Sequence, residues 1–244
     1  MRSTPWFASN SRHGAGFLAN TLGAPLESIR VIHNGVEIPN SIPQRTIWRS
    51  DNGLTDNMWL ACMAANLHAF KDHPTLLRAW RIVLDRARCA PDRLLLILPG
   101  LDAGLGTALK ALAFELDLGR SVRFLGWSDN VPSVLAASDC CVFSSRWEGV
   151  PNGVLEGMAA GLPVVGTDIP GIREAVGDEG CAILTPPDDA EAMARAILAV
   201  MEDPGMGRHM GEIGRERIRT EFAPEKMVRE TTEWIEEGLE RVGR

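Results

Sequence analysis

Short apolar segments alternate with segments of helical periodicity along the chain from residue 58 onward. The apolar segments are five to eight residues long and almost continuously hydrophobic, which is typical of strands buried on both faces of a parallel sheet. They comprise residues 59–65, 93–100, 121–126, 139–145, 162–167 and 181–185. The helical segments comprise residues 75–87, 108–118, 131–137, 154–160 and 190–201. This alternation predicts the α/β class with a doubly wound parallel sheet.

The beginning of the chain has a different pattern. Residues 1–36 have the pattern of a single strand–helix–strand unit, with the helix ending at Gly23, and such a unit cannot bury its own faces. We therefore predict that residues 1–36 are the incomplete tail of a first domain and that 58–222 form a complete second domain. Residues 37–57 between them are polar and interrupted by Pro and Gly, which predicts a linker or exposed loop.

The end of the chain, residues 223–244, is predicted to be a helix with Pro224 near its first turn. Its apolar positions recur at helical spacing, and we expect the helix to pack back on the first domain. These positions are Met227, Thr231, Trp234, Ile235 and Leu239.

Composition narrows the possible partners and the compartment. The chain carries 25 basic and 32 acidic residues, a net charge of −7, and this surplus disfavours a nucleic-acid partner. No apolar run reaches the roughly 18 residues that span a bilayer, and the first residues lack the apolar core of a signal peptide. Five cysteines without metal-like spacing indicate reduced thiols in a cytoplasmic protein. They are Cys62, Cys89, Cys140, Cys141 and Cys181.

The segment with the clearest chemical content is residues 146–177. The strand predicted over 139–145 leads into a loop that carries Glu148, and Asn152 is a suitable cap for the following helix. Glu156 lies in the first turn of that helix, eight positions after Glu148. Doubly wound sheets bind ligands at the carboxyl ends of their strands, and a helix start attracts phosphate. Two carboxylates at such a junction predict a site that accepts sugar or ribose hydroxyls.

Residues 148–165 resemble the donor-site motif of the retaining, GT-B-fold glycosyltransferases of family 4, also called group 1. The family motif has two Glu separated by seven residues, within E-G-x-P-x-x-x-L-E-x-M-A-x-G-x-P-V-V, and this chain has EGVPNGVLEGMAAGLPVV. Residues 31–39, 65–80, 96–100 and 122–145 are similar to the family as well. The resemblance implies a Rossmann-like sheet that is the C-terminal, donor-binding half of a GT-B fold, plus a remnant of the other half.

The resemblance also implies roles for the residues of the motif. Glu156 would bind the ribose hydroxyls of a nucleotide, and Glu148 would lie at the donor sugar. The backbone of Gly149, Val150 and Pro151 would line the sugar and the phosphates. Proline has no N–H group, so only the first two of these could donate a hydrogen bond.

Other parts of the implied donor site lie on neighbouring loops. Gly100 would allow a close approach after the second strand, and Phe124 and Leu125 would face the base. Gly171 and Glu174 continue the motif, although Glu174 is equally compatible with a plain surface position on a helix.

In the family, a basic pair reaches the diphosphate from the loop after the first strand of this domain. Lys71 fits one member of that pair, whereas Asn66 occupies the position that is usually Arg. This departure removes a charge expected to stabilise the leaving diphosphate. The sequence leaves open whether Arg78, His68 or His73 compensates.

The implied reaction is transfer of a sugar from a nucleotide-diphosphate sugar to an acceptor with retention. Lys71 and helix-start amides would neutralise the leaving diphosphate, and Glu148 would orient the sugar. The chain has no Asp-x-Asp metal signature, Asp188 and Asp189 resemble a helix cap, and the five histidines lack ligand spacing. We therefore expect no metal and no cofactor other than the donor substrate itself.

Only the tail of the first GT-B half is expected, without its glycine loop. The chain is then compatible with a fragment of a longer enzyme, a subunit of a split transferase, or a short natural chain. Apolar side chains of the opening segment and of the last helix would lack cover, so we expect self-association or a partner chain that supplies the first half. Contact with a membrane would come only through the acceptor.

Three functional hypotheses follow from the sequence. The favoured one is the donor-binding half of a glycosyltransferase, active only with its other half. The second is a non-catalytic nucleotide-sugar-binding module or subunit. The third is another enzyme on the same fold, such as a sugar-nucleotide epimerase or a phosphorylase. The sequence does not identify the sugar, the base or the acceptor.

Overall fold

The computed structural model describes residues 6–39 and 42–242. The strands of this part are β1 (Phe7–Ser9), β2 (Ile29–Val31), β3 (Trp59–Cys62), β4 (Leu94–Pro99), β5 (Val122–Gly126), β6 (Cys140–Phe143), β7 (Val164–Thr167) and β8 (Ala182–Thr185). The α-helices are α1 (Arg12–Leu22), α2 (Ile42–Asp51), α3 (His73–Arg86), α4 (Gly106–Glu115), α5 (Val131–Ala137), α6 (Asn152–Ala159), α7 (Pro170–Val176), α8 (Ala190–Glu202), α9 (Pro204–Glu221) and α10 (Pro224–Val242).

Strands β3 to β8 form one sheet in which all neighbouring strands are parallel. Their order across the sheet is β5-β4-β3-β6-β7-β8, and helices connect them. The first strand of this sheet, β3, therefore lies in its middle. The chain adds β4 and β5 on one side of β3 and then β6, β7 and β8 on the other side. This order confirms the predicted α/β class with a doubly wound, Rossmann-like parallel sheet. It also places a ligand-binding crevice between the carboxyl ends of β3 and β6.

The hydrophobic core lies along the central strands. Every residue of β4, β6 and β7 is buried, whereas the edge strands β5 and β8 are partly exposed. Trp80 of α3 and Phe143 of β6 are among the largest fully buried side chains. Helices cover both faces of the central strands, which is why these strands are continuously apolar in sequence rather than alternating.

The prediction of a linker or exposed loop over residues 37–57 is wrong for its central part, because α2 occupies Ile42–Asp51. Trp48 of this helix packs against the hydrophobic core, and a buried polar contact anchors the helix as well. Arg49 is 1% exposed and donates hydrogen bonds to the carbonyls of Ala137, Thr55 and Met58 and to the Asp139 carboxylate. A buried guanidinium has no hydrophobic signature, so the sequence pattern did not indicate a packed helix.

Strands β1 and β2 form a separate two-stranded parallel sheet connected by α1. Ser11 caps α1 by accepting a hydrogen bond from the Gly14 amide, and Gly23 ends the helix in the left-handed conformation, with φ of 63°. These short elements lie outside the six-stranded sheet. Residues 6–39 therefore depend on contacts with other parts of the chain.

The last helix, α10, contacts this opening segment. The rings of Trp6 and Trp234 stack with centroids 6.1 Å apart, and Arg30 lies 3.8 Å from Glu233. A Cβ added at Gly35 would lie 2.5 Å from the Cα of Pro224, so the two segments approach closely at the start of α10. Large apolar side chains nevertheless remain exposed on both elements. They are Phe17, Leu22, Val228, Ile235 and Leu239. No helix of the described residues is long and apolar enough to cross a membrane.

Candidate functional site

A cleft of about 570 Å³ opens at the carboxyl ends of β3 and β6, where the strand order reverses. The loops that follow β3, β4, β5 and β6 form most of its walls, and Asn10 and Asn34 contribute from the opening segment. Of the residues predicted from sequence, the cleft brings together Asn66, Lys71, Gly100, Glu148, Gly149, Val150, Pro151 and Glu156. These residues come from three separate loops and one helix, and only the sheet topology makes them neighbours.

Glu148 lies in the loop after β6 and is held by two side chains. Its Oε1 atom accepts hydrogen bonds from Lys71 Nζ at 2.6 Å and from Ser145 Oγ at 2.9 Å. Lys71 ends a short 3₁₀ turn after β3, and its ammonium group lies 5.0 Å from the centroid of the Phe143 ring. The side chain of Glu148 is only 10% exposed and that of Lys71 16% exposed. The cleft therefore contains an oriented, largely desolvated ion pair.

Glycines allow the loops around this ion pair to touch each other directly. A Cβ added at Gly171 would lie 1.8 Å from the Gly149 carbonyl oxygen, and one added at Gly100 would lie 2.0 Å from the Ala65 carbonyl oxygen. A Cβ at Gly153 would lie 2.3 Å from the Ala64 carbonyl oxygen. Contacts this short force the backbone to move, so these glycines are required by loop packing whether or not a ligand is bound.

Helix α6 begins in the cleft, and Glu156 lies one turn into it. The residue at its N-cap position is Pro151 rather than the predicted Asn152, and among the described residues no side chain caps the helix. Asn152 instead accepts a hydrogen bond from Asn34, with 2.7 Å between Nδ2 and Oδ1. The first amides of α6 are thus without a side-chain acceptor in a helix start that lines the cleft.

The Glu156 carboxyl group is partly buried and faces this cleft. Within residues 6–39 and 42–242, no hydrogen bond or ion pair holds it. Burial raises its pKa above the usual value of a glutamate. A carboxylate that is desolvated without a protein partner is suited to bind hydroxyl groups of a ligand.

The structure differs from the prediction at the wall expected to face a base. Phe124 and Leu125 lie within β5 and pack against the hydrophobic core. The cleft is lined instead by Trp127 and Ser128, which follow the strand, and by Val131 at the start of α5. Side chains inside a strand project to the faces of the sheet, and only residues beyond its carboxyl end reach the crevice. The exposed Trp127 after Gly126 was the signal that the sequence interpretation missed.

The three side chains considered as replacements for the absent arginine differ in position. Arg78 is exposed on α3 away from the cleft, whereas His68 lines the cleft. His73 is fully buried, and burial, with a smaller effect of the Lys71 charge, lowers its pKa to about 4, so it is neutral at pH 7. Asn66 itself uses Oδ1 to accept a hydrogen bond from the Leu101 amide at 2.9 Å. Only His68 of the three is placed to contact a bound anion.

The adjacent aspartates Asp188 and Asp189 and the cysteines, whose side chains are of types that bind metals, lie outside the cleft. Asp189 caps α8 by accepting a hydrogen bond from the Ala192 amide, and Asp188 pairs with Arg146 at 2.6 Å. The cysteines are free thiols, and burial raises the pKa of Cys141 to about 12. In the described part of the chain, no three His, Cys, Asp or Glu side chains are grouped so that they could hold a metal ion.

Comparisons with known proteins agree with this architecture. The family described as "Glycosyl transferases group 1" matches residues 44–217. The UDP-Gal:alpha-D-GlcNAc-diphosphoundecaprenol alpha-1,3-galactosyltransferase of Escherichia coli is 27% identical over 182 residues, which are 72% of this chain and 46% of that protein. A Campylobacter jejuni enzyme is 26% identical over 93% of this chain and 58% of its own length. Its name is N-acetylgalactosamine-N,N'-diacetylbacillosaminyl-diphospho-undecaprenol 4-alpha-N-acetylgalactosaminyltransferase.

Solved structures share the fold. The crystal structure of Anabaena Alr3699/HepE in complex with UDP and glucose aligns with a TM-score of 0.86 and 23% identity, over 96% of this chain and 64% of that one. The chain spans about half the length of the curated relatives it matches. The family match covers more than half of the chain and includes the whole six-stranded sheet and the cleft residues other than Asn10 and Asn34. The chain therefore belongs to the group 1 glycosyl transferase family.

Proposed function

We propose that the chain is the donor-binding half of a retaining, metal-independent glycosyltransferase that takes its sugar from a nucleotide-diphosphate sugar. One observation carries the proposal. A single cleft combines the Lys71–Glu148 ion pair with the Glu156 carboxylate at an uncapped helix start. The name of the Escherichia coli relative specifies a UDP-sugar, and the Anabaena structure contains UDP and glucose, which supports a donor of this class.

The nucleotide part of the donor would bind along α6. The Glu156 carboxylate would accept hydrogen bonds from the two ribose hydroxyls, which replace the water lost on burial. The amides at the start of α6 and the positive end of its dipole would face the diphosphate. Trp127 and Ser128, at the opposite wall, are the residues beside which the base would lie.

The sugar and the leaving group would meet at the ion pair. An ammonium group has three donors, so Lys71 can keep its hydrogen bond to Glu148 while it donates to a phosphate oxygen. Lys71 would then neutralise charge on the leaving diphosphate, where electrostatic stabilisation contributes most. Glu148, fixed by Lys71 and Ser145, would accept a hydroxyl of the sugar and orient its anomeric carbon.

Transfer of the sugar would require an acceptor-binding half, because the chain spans about half the length of its curated relatives. The exposed apolar side chains of α1 and α10 are where such a half, or a second copy of the chain, would pack. A non-catalytic binding module would have the same cleft and the same donor affinity. A sugar-nucleotide epimerase would instead change the donor itself without an acceptor.

The proposal is tested by measuring the melting temperature of the 244-residue chain with UDP-, GDP- and ADP-glucose. A ligand present at 100 times its Kd raises the free energy of unfolding by about 2.7 kcal/mol. We therefore expect the melting temperature to rise by roughly 5–10 °C with at least one donor. Absence of a shift with all three at millimolar concentration would contradict donor binding. Turnover that begins only when an acceptor-binding partner chain is added supports the transferase over the binding module.

Replacing Glu148 by Gln is expected to separate sugar recognition from nucleotide recognition. The variant keeps the size of the side chain but loses the negative charge of the carboxylate. That carboxylate accepts a hydrogen bond from Lys71 and, in the proposed complex, one from the sugar. We expect the Kd of the nucleotide sugar to rise about tenfold and the Kd of the free nucleotide to change by about twofold or less. Isothermal titration measures both constants. Glu216→Gln, on the exposed surface of α9, is the matched control and should change neither.

A further inference from the structure

Glu174 connects α7 to two separate points of the opening segment. Its carboxylate accepts hydrogen bonds from the Arg12 amide at 2.8 and 2.9 Å, and from the His13 amide at 3.5 Å, at the start of α1. Oε1 of Glu174 also lies 2.8 Å from Nε2 of His33 in the segment after β2. The side chain is only 9% exposed. Glu174 is therefore not a plain surface residue of a helix.

The points that Glu174 holds are next to the two asparagines of the cleft. Asn10 precedes Arg12 by two residues, and Asn34 directly follows His33. The Nδ2 atom of Asn10 lies 3.5 Å from the Val150 carbonyl oxygen, and Asn34 donates to Asn152. The first contact lies in the loop between Glu148 and α6, and the second lies at the first residue of α6. Residues 6–39 thus complete a wall of the cleft at the end where the sugar and diphosphate would lie.

The same short helix also packs against the loop of Glu148. Gly171, in the first turn of α7, would bring an added Cβ within 1.8 Å of the Gly149 carbonyl oxygen. On the other side of that loop, a Cβ added at Gly149 would lie 2.6 Å from Oδ1 of Asn10. Helix α7 therefore contacts the loop through Gly171 and holds the opening segment through Glu174.

We infer that Glu174 is a positioning residue that places the carboxamides of Asn10 and Asn34 in the cleft, where they contact the sugar–diphosphate part of the donor. This inference rests on the proposed function. A carboxamide both donates and accepts, so the two asparagines suit sugar hydroxyls and phosphate oxygens without adding charge. Glu174 itself does not reach the cleft and acts only through the backbone at Arg12 and the ring of His33.

Burial alone would raise the pKa of the Glu174 carboxyl group. The hydrogen bond from His33 and those from the Arg12 and His13 amides outweigh burial, and the pKa lies below its usual value. The carboxylate is therefore the form present at neutral pH, and it accepts all three hydrogen bonds. A neutral amide at this position would accept fewer of them.

The test compares Glu174→Ala and Glu174→Gln with wild type in two measurements. Isothermal titration with UDP and UDP-glucose is the first. The second is the NMR signal of the Asn10 and Asn34 side-chain amides in the chain without ligand. Glu179→Ala is the matched control, because it removes an ion pair to Arg217 shortly after α7 without touching either asparagine. Circular dichroism tests whether each variant is folded. If the Glu174→Ala variant is not folded, the comparison uses the Glu174→Gln variant.

We expect Glu174→Ala to weaken UDP-glucose binding about tenfold and UDP binding by about twofold or less. We expect a smaller effect for Glu174→Gln, displaced Asn10 and Asn34 amide signals in both variants, and none of these changes in Glu179→Ala. In a chain that already carries Asn10→Ala and Asn34→Ala, Glu174→Ala should change the UDP-glucose Kd no further.

Each of three results would overturn the inference. The first two are unchanged asparagine signals and an unchanged UDP-glucose Kd in a folded Glu174→Ala variant. The third is that Glu174→Ala weakens UDP-glucose binding as much in the chain with Asn10→Ala and Asn34→Ala as it does in wild type. Failure of the proposed function looks different, because wild type itself would then bind no nucleotide sugar. Displaced asparagine signals in that case would still support the positioning by Glu174 and would overturn only the donor assignment.

Discussion

Replacing Glu156 by Gln is expected to abolish nucleotide binding and, at the same time, to raise the stability of the chain near neutral pH. The carboxylate has no protein partner in the described residues, and burial raises its pKa. Charge-assisted hydrogen bonds contribute about 1.5–3 kcal/mol each, and two ribose hydroxyls would lose theirs. We therefore expect the Kd of the nucleotide to rise at least about 100-fold, measured by isothermal titration.

The stability gain follows from the direction of the pKa shift. The pKa of Glu156 is higher in the folded than in the unfolded chain, so ionisation opposes folding as the pH rises above the unfolded value of about 4.3. This destabilisation is absent at lower pH and complete above the folded pKa. Gln does not ionise, so the melting temperature of the variant should exceed that of wild type by roughly 2 °C near pH 7. The difference should disappear near pH 4.

Glu191→Gln is the matched control for Glu156→Gln, because both substitutions replace a glutamate within a helix by glutamine. The hydrogen bond from Arg86 lowers the pKa of Glu191, so its ionised form favours folding and the stability change should have the opposite sign. Nucleotide affinity should not change. A Glu156→Gln variant that binds nucleotide as tightly as wild type, or that melts at a lower temperature near pH 7, would contradict the assignment of Glu156.

Replacing Arg49 by Met is expected to give the largest loss of stability. Arg49 is buried and donates to three backbone carbonyls and to Asp139 at the amino ends of β3 and β6. Methionine leaves these carbonyls without a donor in a site closed to water. Removing one partner of a buried ion pair costs about 3–5 kcal/mol, which corresponds to a fall in melting temperature of roughly 6–20 °C.

Arg45→Met is the matched control, because it removes another positive charge that pairs with Asp139 but leaves the buried hydrogen bonds of Arg49 in place. Arg45 pairs with the same Asp139 at 2.6 Å, but its side chain is 38% exposed, so its loss should cost about 1 kcal/mol or less. Equal losses for the two variants, measured by urea unfolding, would contradict the role of the buried hydrogen bonds. The Arg49 site lies at the opposite end of the sheet from the cleft. Folded Arg49→Met should therefore bind the donor with unchanged affinity.

Much of the fold can be predicted from sequence because its signals are local. A strand covered on both faces must be apolar at every position, and the runs that become β4, β6 and β7 are recognisable for that reason. The start of α6 is equally local, since Glu148 in the preceding loop and Glu156 within the helix are eight residues apart. By contrast, α2 was not predicted, because the buried hydrogen bonds of Arg49 that anchor it leave no hydrophobic pattern in the sequence.

Some residues of the candidate site could also be predicted from sequence, and others could not. Glu148 and Glu156 could be named from sequence because their motif has a characteristic spacing, and Lys71 could be named because the family resemblance places a basic residue in its loop. Asn10, Asn34 and Trp127 could not, because a carboxamide or an exposed indole has no pattern of its own until the chain brings it to the cleft. Phe124 and Leu125 were placed in the site by the family resemblance, although the apolar run over 121–126 ends at the same residue as β5 and side chains within a strand do not reach the crevice.

The class of the sheet and the spacing of Glu148 and Glu156 around the start of α6 follow from the sequence, since each depends on residues close together in the chain. The tertiary structure alone decided which loops share a cleft, that Lys71 pairs with Glu148, and that Glu174 holds the opening segment against that cleft. These contacts join residues 77 and 162 positions apart. Pairings over such distances are selected by the packing of the whole sheet and its helices, and no local pattern encodes them.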